Sequence, residues 1–171
     1  GGMGHEPGFS ADDKLLAVTT VSFDIAGLEL YLPLVTGGSV VVADRDTSTD
    51  GDRLKSTLAA QGITVMQATP ATWRLLLASG WSGDPKFRAF CGGEALPRDL
   101  AAQIIPRVGA LWNLYGPTET TIWSTAFRVT DAGSKILIGK PTANTSCYVL
   151  DEARQLVPQG TTGELWIGGA G

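Results

Sequence analysis

The feature that most constrains the fold is a regular alternation of short apolar runs with amphipathic stretches of helical length. The apolar runs, which we predict to be strands, occupy residues 15–19, 39–43, 63–68, 87–91 and 110–114. The helix-length stretches between them occupy residues 24–35, 52–61, 70–78 and 97–108. Strand–helix–strand units in series form a parallel sheet that is covered by helices on both faces. The sequence therefore predicts an α/β fold.

Local signals set the limits of several predicted helices. Asp24 is a candidate N-cap, because a carboxylate at that position accepts backbone N–H groups. The Gly37-Gly38 pair ends the same helix, Gly62 closes the second, and Pro70 opens the third. The resulting succession of elements is typical of a flavodoxin-like parallel sheet.

The last part of the chain has a different character. Residues 121–129, 146–150 and 163–167 are predicted strands, and Gly, Pro, Thr and Asn separate them. No helix-length periodic stretch remains there. We therefore predict an α/β subdomain over residues 1–129 and a partial, incomplete β-rich subdomain over residues 130–171.

Composition disfavours several classes of protein. Thirteen Lys and Arg residues against 17 Asp and Glu give a net charge of −4, with no basic cluster that would bind nucleic acid. No apolar run approaches the roughly 20 residues of a membrane span, and no signal peptide opens the chain. Cys91 and Cys147 lie in apolar runs and are expected to be buried thiols. We therefore expect a cytoplasmic protein without membrane or nucleic-acid partners.

Histidine-dependent chemistry is also disfavoured. His5 is the only histidine and lies near the start of the chain, which argues against a Ser-His-Asp triad or a histidine metal site. The two cysteines are too far apart in sequence to form a local metal-binding pair. The sequence therefore assigns no catalytic side chain.

The most informative stretch is the strand at residues 111–114 and the turn at residues 115–121 that follows it. In open α/β sheets, ligands bind outside the carboxyl ends of strands. Tyr115 could stack on a base, the Thr118 hydroxyl could meet a phosphate, and Glu119 could hold Mg²⁺ together with substrate phosphates. A solvated Gly-Pro turn is the alternative interpretation.

Two other strand ends carry weaker signals. Asp24 could face the ammonium group of a ligand, although helix capping is favoured when the residues alone are considered. Gly92 and Gly93 would let the backbone approach a flat ligand closely, but a tight turn explains them equally well.

Three segments, in order, resemble core motifs of the amino-acid-activating adenylation domains of nonribosomal peptide synthetases, which belong to the adenylate-forming enzymes. These segments are Ser22-Phe23-Asp24, residues 113–119 and residues 163–171. The resemblance implies that Tyr115 stacks on adenine, Asn113 contacts its edge and Thr118 meets the phosphate of the adenylate. The implied cofactor-binding residues are Gly93, Glu94, Asn113, Tyr115, Gly116 and Thr118, with Glu119 as the magnesium ligand.

The same resemblance implies an amino-acid pocket. Its lining residues are Asp24, Ile25, Leu28, Gln67, Phe90, Gly92, Leu114, Ile122 and Trp123. Asp24 would hold the α-ammonium group, and Trp123 would form a wall where a larger side chain would otherwise lie. The set is similar to the family's glycine-selecting set, with Phe90 where Leu is more usual. A wall is needed because one missing methylene discriminates by only about 1–3 kcal/mol.

The resemblance implies a function for the parent enzyme. That enzyme would activate an amino acid, with glycine as the expected substrate, by reaction with Mg-ATP to give aminoacyl-AMP and pyrophosphate. The aminoacyl group would then pass to the phosphopantetheine thiol of a peptidyl carrier protein. Ala26 departs from the family, which often has Ser there, so no contact through that hydroxyl is expected.

Parts of the family's catalytic machinery are not in this chain: the upstream phosphate loop, a downstream ribose-binding Asp and a Lys on a mobile domain. We therefore expect the isolated segment, without the rest of the adenylation domain, to have little or no activity. Two alternatives remain open. One is a fragment of an acyl- or aryl-CoA ligase, and the other is a non-catalytic flavodoxin-like binding module.

Overall fold

A seven-stranded sheet is the framework of the computed structural model, which describes residues 2–170; Gly1 and Gly171, predicted as parts of the first and last segments, lie outside the described residues. The strands are β1 Lys14–Ala17, β2 Ser39–Val42, β3 Val65–Ala68, β4 Asp84–Cys91, β5 Val108–Tyr115, β6 Thr125–Val129, β7 Lys140–Pro141, β8 Thr145–Leu150 and β9 Glu164–Gly169. The α-helices are α1 Ala26–Thr36, α2 Arg45–Ser48, α3 Gly51–Gln61, α4 Pro70–Ala78 and α5 Arg98–Ile104. Short 3₁₀ turns occupy Gly2–Gly4, Ile105–Arg107 and Thr118–Thr120.

The order of strands in the sheet is β2-β1-β3-β4-β5-β6-β7. The first five are mutually parallel, whereas β6 runs antiparallel to β5 and β7 antiparallel to β6. The order 2-1-3-4-5 is that of flavodoxin-like sheets. The predicted fold class is therefore confirmed.

The β-rich part of the chain is divided between two sheets. Strands β6 and β7 complete the main sheet, which runs on to Pro141, and β8 pairs with β9 in a separate antiparallel hairpin. The predicted subdomain boundary at residue 129 stays a prediction. Within the described residues, the hairpin that begins at Thr145 is the part separate from the main sheet.

The helix limits follow from local chemistry. Helix α4 begins at Pro70, as predicted. Proline suits this position because the N–H group that it lacks would have no partner in the first helical turn. Helix α1 ends before Gly37, which adopts a left-handed conformation with φ of 79°. The predicted cap at Asp24 is wrong: the helix begins at Ala26, no side chain caps it, and Asp24 is exposed. Backbone bonds from Ala26 and Gly27 to the carbonyls of residues 23 and 24 form the entry turn instead.

Two apolar cores lie on the two faces of the sheet. Because successive side chains of a strand point to opposite faces, Met66 joins the core beneath α3, α4 and α5, whereas Val65 joins the core beneath α1. Trp73, Trp81 and Phe87 form an aromatic cluster in the first core, in which Phe87 meets both tryptophan rings edge-on. Strand β3, whose four residues are all buried, is therefore covered on both faces. Both cysteines were expected to be buried; Cys91 is buried, whereas Cys147 is half-buried.

The strand order places a ligand site at one edge of the sheet. The chain leaves β1 through α1 towards β2 on one side, and leaves β3 through α4 towards β4 on the other. Where neighbouring connections diverge in this way, a crevice opens outside the carboxyl ends of the strands. Separately, none of the helices in residues 2–170 is both long and apolar enough to span a membrane.

Candidate functional site

Two adjoining cavities open at the carboxyl ends of the central strands. The first, of about 510 Å³, we call the switch-point cavity; its lining residues are Val18, Thr19, Thr20, Phe23, Asp24, Ile25, Ala68, Thr69, Thr72, Gly93, Glu94, Gly116, Pro117, Thr118 and Trp123. The second, of about 420 Å³, we call the outer cavity; its lining residues are Gly93, Glu94, Ala95, Asn113, Leu114, Tyr115, Gly116, Pro117, Trp123, Ile136 and Ile138. The shared residues make the two cavities neighbours.

Trp123 separates the cavities from the core behind them. Its side chain is buried, and its indole Nε1 donates a 2.7 Å hydrogen bond to Gln67 Oε1. The ring lies directly over Gly92, where an added Cβ would be 2.3 Å from ring atom Cη2. Residue 92 must therefore be glycine for the indole to occupy this position.

A chain of buried polar groups continues behind Trp123. Gln67 Nε2 donates to the carbonyl of Ile25 at 2.8 Å and to Glu29 Oε1 at 3.1 Å. Glu29 also accepts from the Thr19 backbone N–H at 3.0 Å and from the Thr19 hydroxyl at 2.7 Å. Burial raises the pKa of the Glu29 carboxyl, although the hydrogen bonds from Thr19 and Gln67 act in the opposite direction.

The turn that leads into Trp123 has an unusual backbone. Thr121 and Ile122 have φ angles of 59° and 72°, in the left-handed region that β-branched residues rarely adopt. Gly116 permits this turn, because a Cβ there would lie 2.1 Å from the Ile122 carbonyl oxygen. The backbone N–H of Ser124 donates to the carbonyl of Tyr115 at 2.9 Å and closes the turn.

The outer cavity has the features of a site for a flat ring. Tyr115 is 37% exposed at its mouth. Asn113 is buried, and its side-chain amide donates to the Leu137 carbonyl at 2.8 Å, which fixes the amide at the cavity wall. Ile136 and Ile138 add apolar surface from the segment before β7.

The predicted magnesium ligand lies apart from both cavity walls. Glu119 is exposed in the 3₁₀ turn Thr118–Thr120. Within residues 2–170, no cluster of three or more His, Cys, Asp or Glu side chains could hold a metal ion. A single carboxylate nevertheless fits Mg²⁺, which is commonly bound through one or two carboxylates together with substrate phosphates.

The predicted pocket residues fall into two sets. Asp24, Ile25 and Trp123 line the switch-point cavity, and Leu114 lines the outer one. The others lie behind the Trp123 ring or support it from neighbouring elements; they are Leu28, Gln67, Phe90, Gly92 and Ile122. Of the predicted cofactor residues, Gly93, Glu94 and Gly116 lie between the cavities, Thr118 lines the first, and Asn113 and Tyr115 line the second. Their ligand-binding roles remain predictions.

Several residues of this site were not predicted from the sequence. Thr20, Thr69 and Thr72 line the switch-point cavity and follow the carboxyl ends of β1 and β3, a position that could have indicated them. Glu29 lies on the buried stripe of α1, three residues after Ala26 and four before Pro33. A carboxylate on an apolar helical stripe was the available signal.

An open flavodoxin-like sheet with cavities at its carboxyl edge is the arrangement in which α/β proteins bind small ligands. The chain belongs to the family of AMP-binding enzymes, whose family model matches residues 2–171. This match, with the relatives and solved structure that follow, confirms the predicted resemblance to adenylation domains.

Two relatives with similar sequences are nonribosomal peptide synthetases or hybrids that contain one. The chain is 45% identical over 161 residues to a dimodular nonribosomal peptide synthase of Bacillus subtilis, covering 94% of this chain and 7% of that protein. It is 42% identical over 166 residues to the PKS-NRPS hybrid synthetase acdB of Aspergillus candidus, covering 96% of this chain and 7% of that protein. The chain thus spans a small fraction of the length of these relatives.

Among solved structures, holo-AB3403, a four-domain nonribosomal peptide synthetase bound to AMP and glycine, matches with a TM-score of 0.93 and 54% identity. The match covers 98% of this chain and 13% of that one. The N-terminal subdomain of NpsA from Klebsiella oxytoca matches with a TM-score of 0.81 at 21% identity, over 96% of this chain and 43% of that one, which shows the shared fold. The chain is therefore a fragment of the adenylation-domain type.

Proposed function

We propose that this chain is the substrate-recognition part of an adenylation domain that activates glycine. The parent enzyme joins the amino acid to AMP, releases pyrophosphate and transfers the aminoacyl group to the phosphopantetheine thiol of a carrier protein in the cytoplasm. The observation that carries the proposal is the position of Trp123, which is held above Gly92 by its bond to Gln67. In this proposal the indole fills the place of a substrate side chain. The glycine-bound relative supports the same substrate.

Asp24 holds the α-ammonium group of the substrate in this proposal. Its carboxylate lines the switch-point cavity and makes no capping bond to α1, so it is available to a ligand. A charge-assisted hydrogen bond to an ammonium group contributes roughly 1.5–3 kcal/mol. Asp24 thereby orients the amino acid with its carboxylate towards the nucleotide.

The nucleotide occupies the outer cavity, with Tyr115 beneath the adenine ring and Asn113 at its edge. Gly93, Glu94 and Gly116 bring backbone close to the nucleotide, and Thr118 donates to the phosphate. Magnesium supplies positive charge to the phosphates of ATP, and Glu119 is the carboxylate of this chain that holds it. Positioning and charge stabilisation are the main requirements of such a transfer.

The central test places residues 2–171 in a complete homologous adenylation domain and measures ATP–pyrophosphate exchange with each proteinogenic amino acid. A signal dominated by glycine supports the proposal. A folded chimera that prefers a bulky residue contradicts the assignment of Trp123. A folded chimera that is silent with every amino acid favours an acyl- or aryl-CoA ligase, and saturable AMP binding without any activation favours a binding module.

Two variants test the named roles in the same chimera. Trp123→Ala should move the preference towards larger amino acids, whereas Trp166→Ala, on the separate hairpin, should not. Asp24→Ala should lower kcat/KM for glycine by about 10- to 100-fold. Asp12→Ala, at an exposed aspartate near the opposite edge of the sheet, is its matched control. An unaffected Asp24→Ala enzyme contradicts the anchoring role.

A further inference from the structure

We propose that Glu29 is a positioning residue for substrate selection: through Gln67 it fixes the orientation of the Trp123 indole, and through Thr19 it fixes the loop after β1. The proposal rests on the function proposed above and adds a specificity determinant that does not contact the substrate. It concerns the buried hydrogen-bonded chain Thr19–Glu29–Gln67–Trp123, which we call the indole tether.

The burial of Glu29 calls for an explanation. Its side chain is 0% exposed, and none of the ion pairs among the described residues involves it. A buried carboxyl group without a paired cation is costly unless hydrogen bonds satisfy it. Helix α1 does not need a carboxylate at this position, because Leu, Met or Gln would favour the helix about as well. The function of Glu29 therefore lies in its hydrogen bonds.

Those hydrogen bonds have a fixed direction. Every partner of Glu29 in the tether is a donor: the backbone N–H and hydroxyl of Thr19 and the side-chain amide of Gln67. An ionised carboxylate only accepts, so it holds the NH₂ group of Gln67 towards itself. The Gln67 carbonyl oxygen is then left facing the indole N–H of Trp123. Glu29 and the Ile25 carbonyl, which accepts from the same NH₂ group, together determine which end of the amide meets the tryptophan.

The tether also joins two walls of one cavity. Thr19 and Trp123 both line the switch-point cavity, and they belong to the loop after β1 and the turn between β5 and β6. These segments are separated by about a hundred residues in sequence, and Glu29 with Gln67 connects them through side chains. The spacing of the walls, and hence the room beyond the substrate α-carbon, depends on this connection.

The variant Glu29→Gln tests the direction of the tether. Glutamine has nearly the same shape but carries an NH₂ group. That group must face either the two donors at the Oε1 position, which are the Thr19 hydroxyl and Gln67 Nε2, or the Thr19 backbone N–H at the Oε2 position. Facing Gln67, the new NH₂ group displaces or turns the Gln67 amide, and the indole N–H loses its acceptor; facing the Thr19 N–H, it frees the loop after β1 from the tether. In the complete adenylation domain that carries this segment, we expect the ratio of kcat/KM for alanine to that for glycine to rise about tenfold. The KM for ATP should not change.

A matched control separates positioning from general stability. Asp13 is also a buried carboxylate, but it lies just before β1, away from the cavities, and Asp13→Asn makes the same chemical change there. Asp13→Asn should lower stability and leave the alanine-to-glycine ratio unchanged. Equal effects of the two variants on that ratio would contradict the proposal.

A double-mutant cycle tests the route through the indole. Trp123→Phe keeps an aromatic ring but removes the N–H donor. In that background, Glu29→Gln should change the alanine-to-glycine ratio by less than about twofold, because the tether no longer reaches the ring. Full additivity of the two substitutions contradicts the proposal. If Glu29→Gln does not fold, Thr19→Val removes one donor to Glu29 and should still raise the ratio; an unchanged ratio counts against the tether.

A spectroscopic measurement is independent of the substrate. With ¹⁵N-labelled tryptophan, the indole signal of Trp123 is assigned by its loss in Trp123→Phe. Glu29→Gln should shift this signal and accelerate its hydrogen exchange, whereas Asp13→Asn should do neither. If the wild-type domain activates no amino acid but this result is obtained, the tether stands and the proposed function fails. If glycine is activated and the indole signal does not respond, the tether fails alone.

Discussion

Among residues 2–170, each end of the parallel sheet buries one carboxylate, but the two ends satisfy it differently. At the amino end, Asp13 forms an ion pair with Arg88 and accepts hydrogen bonds from Ser10 and Thr64. At the carboxyl end, Glu29 is more deeply buried and is satisfied by neutral donors alone. The first carboxylate is balanced by a cation, and the second is not.

The two pKa directions express this contrast. Burial raises the pKa of Asp13, but hydrogen bonds from Arg88, Ser10 and Thr64 outweigh it and hold the pKa below its usual range. Burial also raises the pKa of Glu29, and there it prevails. The comparison indicates that the amino end is arranged for stability and the carboxyl end for geometry at the cavities.

The largest expected effect comes from removing the cation at the amino end. Arg88→Met leaves Asp13 buried without its partner and also removes the bond from Arg88 to the Gly8 carbonyl. We expect the free energy of unfolding to fall by about 3 kcal/mol, measured by urea denaturation. Arg74→Met is the control, because its ion pair with Asp99 is exposed, and it should be hard to distinguish from wild type. A small effect of Arg88→Met would remove the contrast between the two ends.

A smaller effect is expected from crowding the carboxyl end. In Gly92→Ala the new methyl group would meet the Trp123 ring at 2.3 Å and the Leu114 carbonyl oxygen at 2.9 Å. The indole must move, and we expect a loss of stability of about 2 kcal/mol together with a changed Trp123 signal. At Gly168 an added Cβ meets no atom within 4 Å, so Gly168→Ala should be tolerated. Equal stability of the two variants would show that Trp123 is loosely held.

The smallest effect is a pair of opposite pH dependences. The folded-state pKa of Asp13 is lowered, so its stabilising contribution is present above its unfolded pKa and is lost as the pH falls through the folded value. The folded-state pKa of Glu29 is raised, so its contribution is present below its unfolded pKa and is lost as the pH rises through the folded value. Urea denaturation between about pH 3 and pH 8 should therefore show a flatter acid limb for Asp13→Asn and a flatter upper limb for Glu29→Gln.

The sequence could predict the elements of the fold that local signals determine. Helix α4 and the central strands followed from apolar periodicity and from Pro70, because both signals are local. The four-residue helix α2 and the two-residue strand β7 were not predicted, since elements of that length show no period. Strand β7 exists because Lys140 and Pro141 pair with β6, which is a tertiary effect.

The sequence predicted only those site residues whose side-chain chemistry and position after a strand end both indicated a ligand. The residues that follow strand ends, such as Tyr115 and Thr118, were identified because the carboxyl edge of a parallel sheet is a known ligand position. Glu29 was not, because a glutamate within a helix is ordinarily a solvated helix former. Asp24 was expected to cap α1, but the backbone made the entry turn and left the carboxylate exposed.

The left-handed backbone at Thr121 and Ile122 limits how the cavity wall formed by Trp123 can change. Residues held in this region cost of order 1–3 kcal/mol each, so the turn before Trp123 limits the stability of the fold. Thr121→Gly would relieve strain in the turn but would enlarge the range of positions that the turn can sample. The protein would become harder to unfold and less discriminating at once. Under the proposed function, selectivity depends on this turn, which restricts the position of Trp123 at a cost in stability.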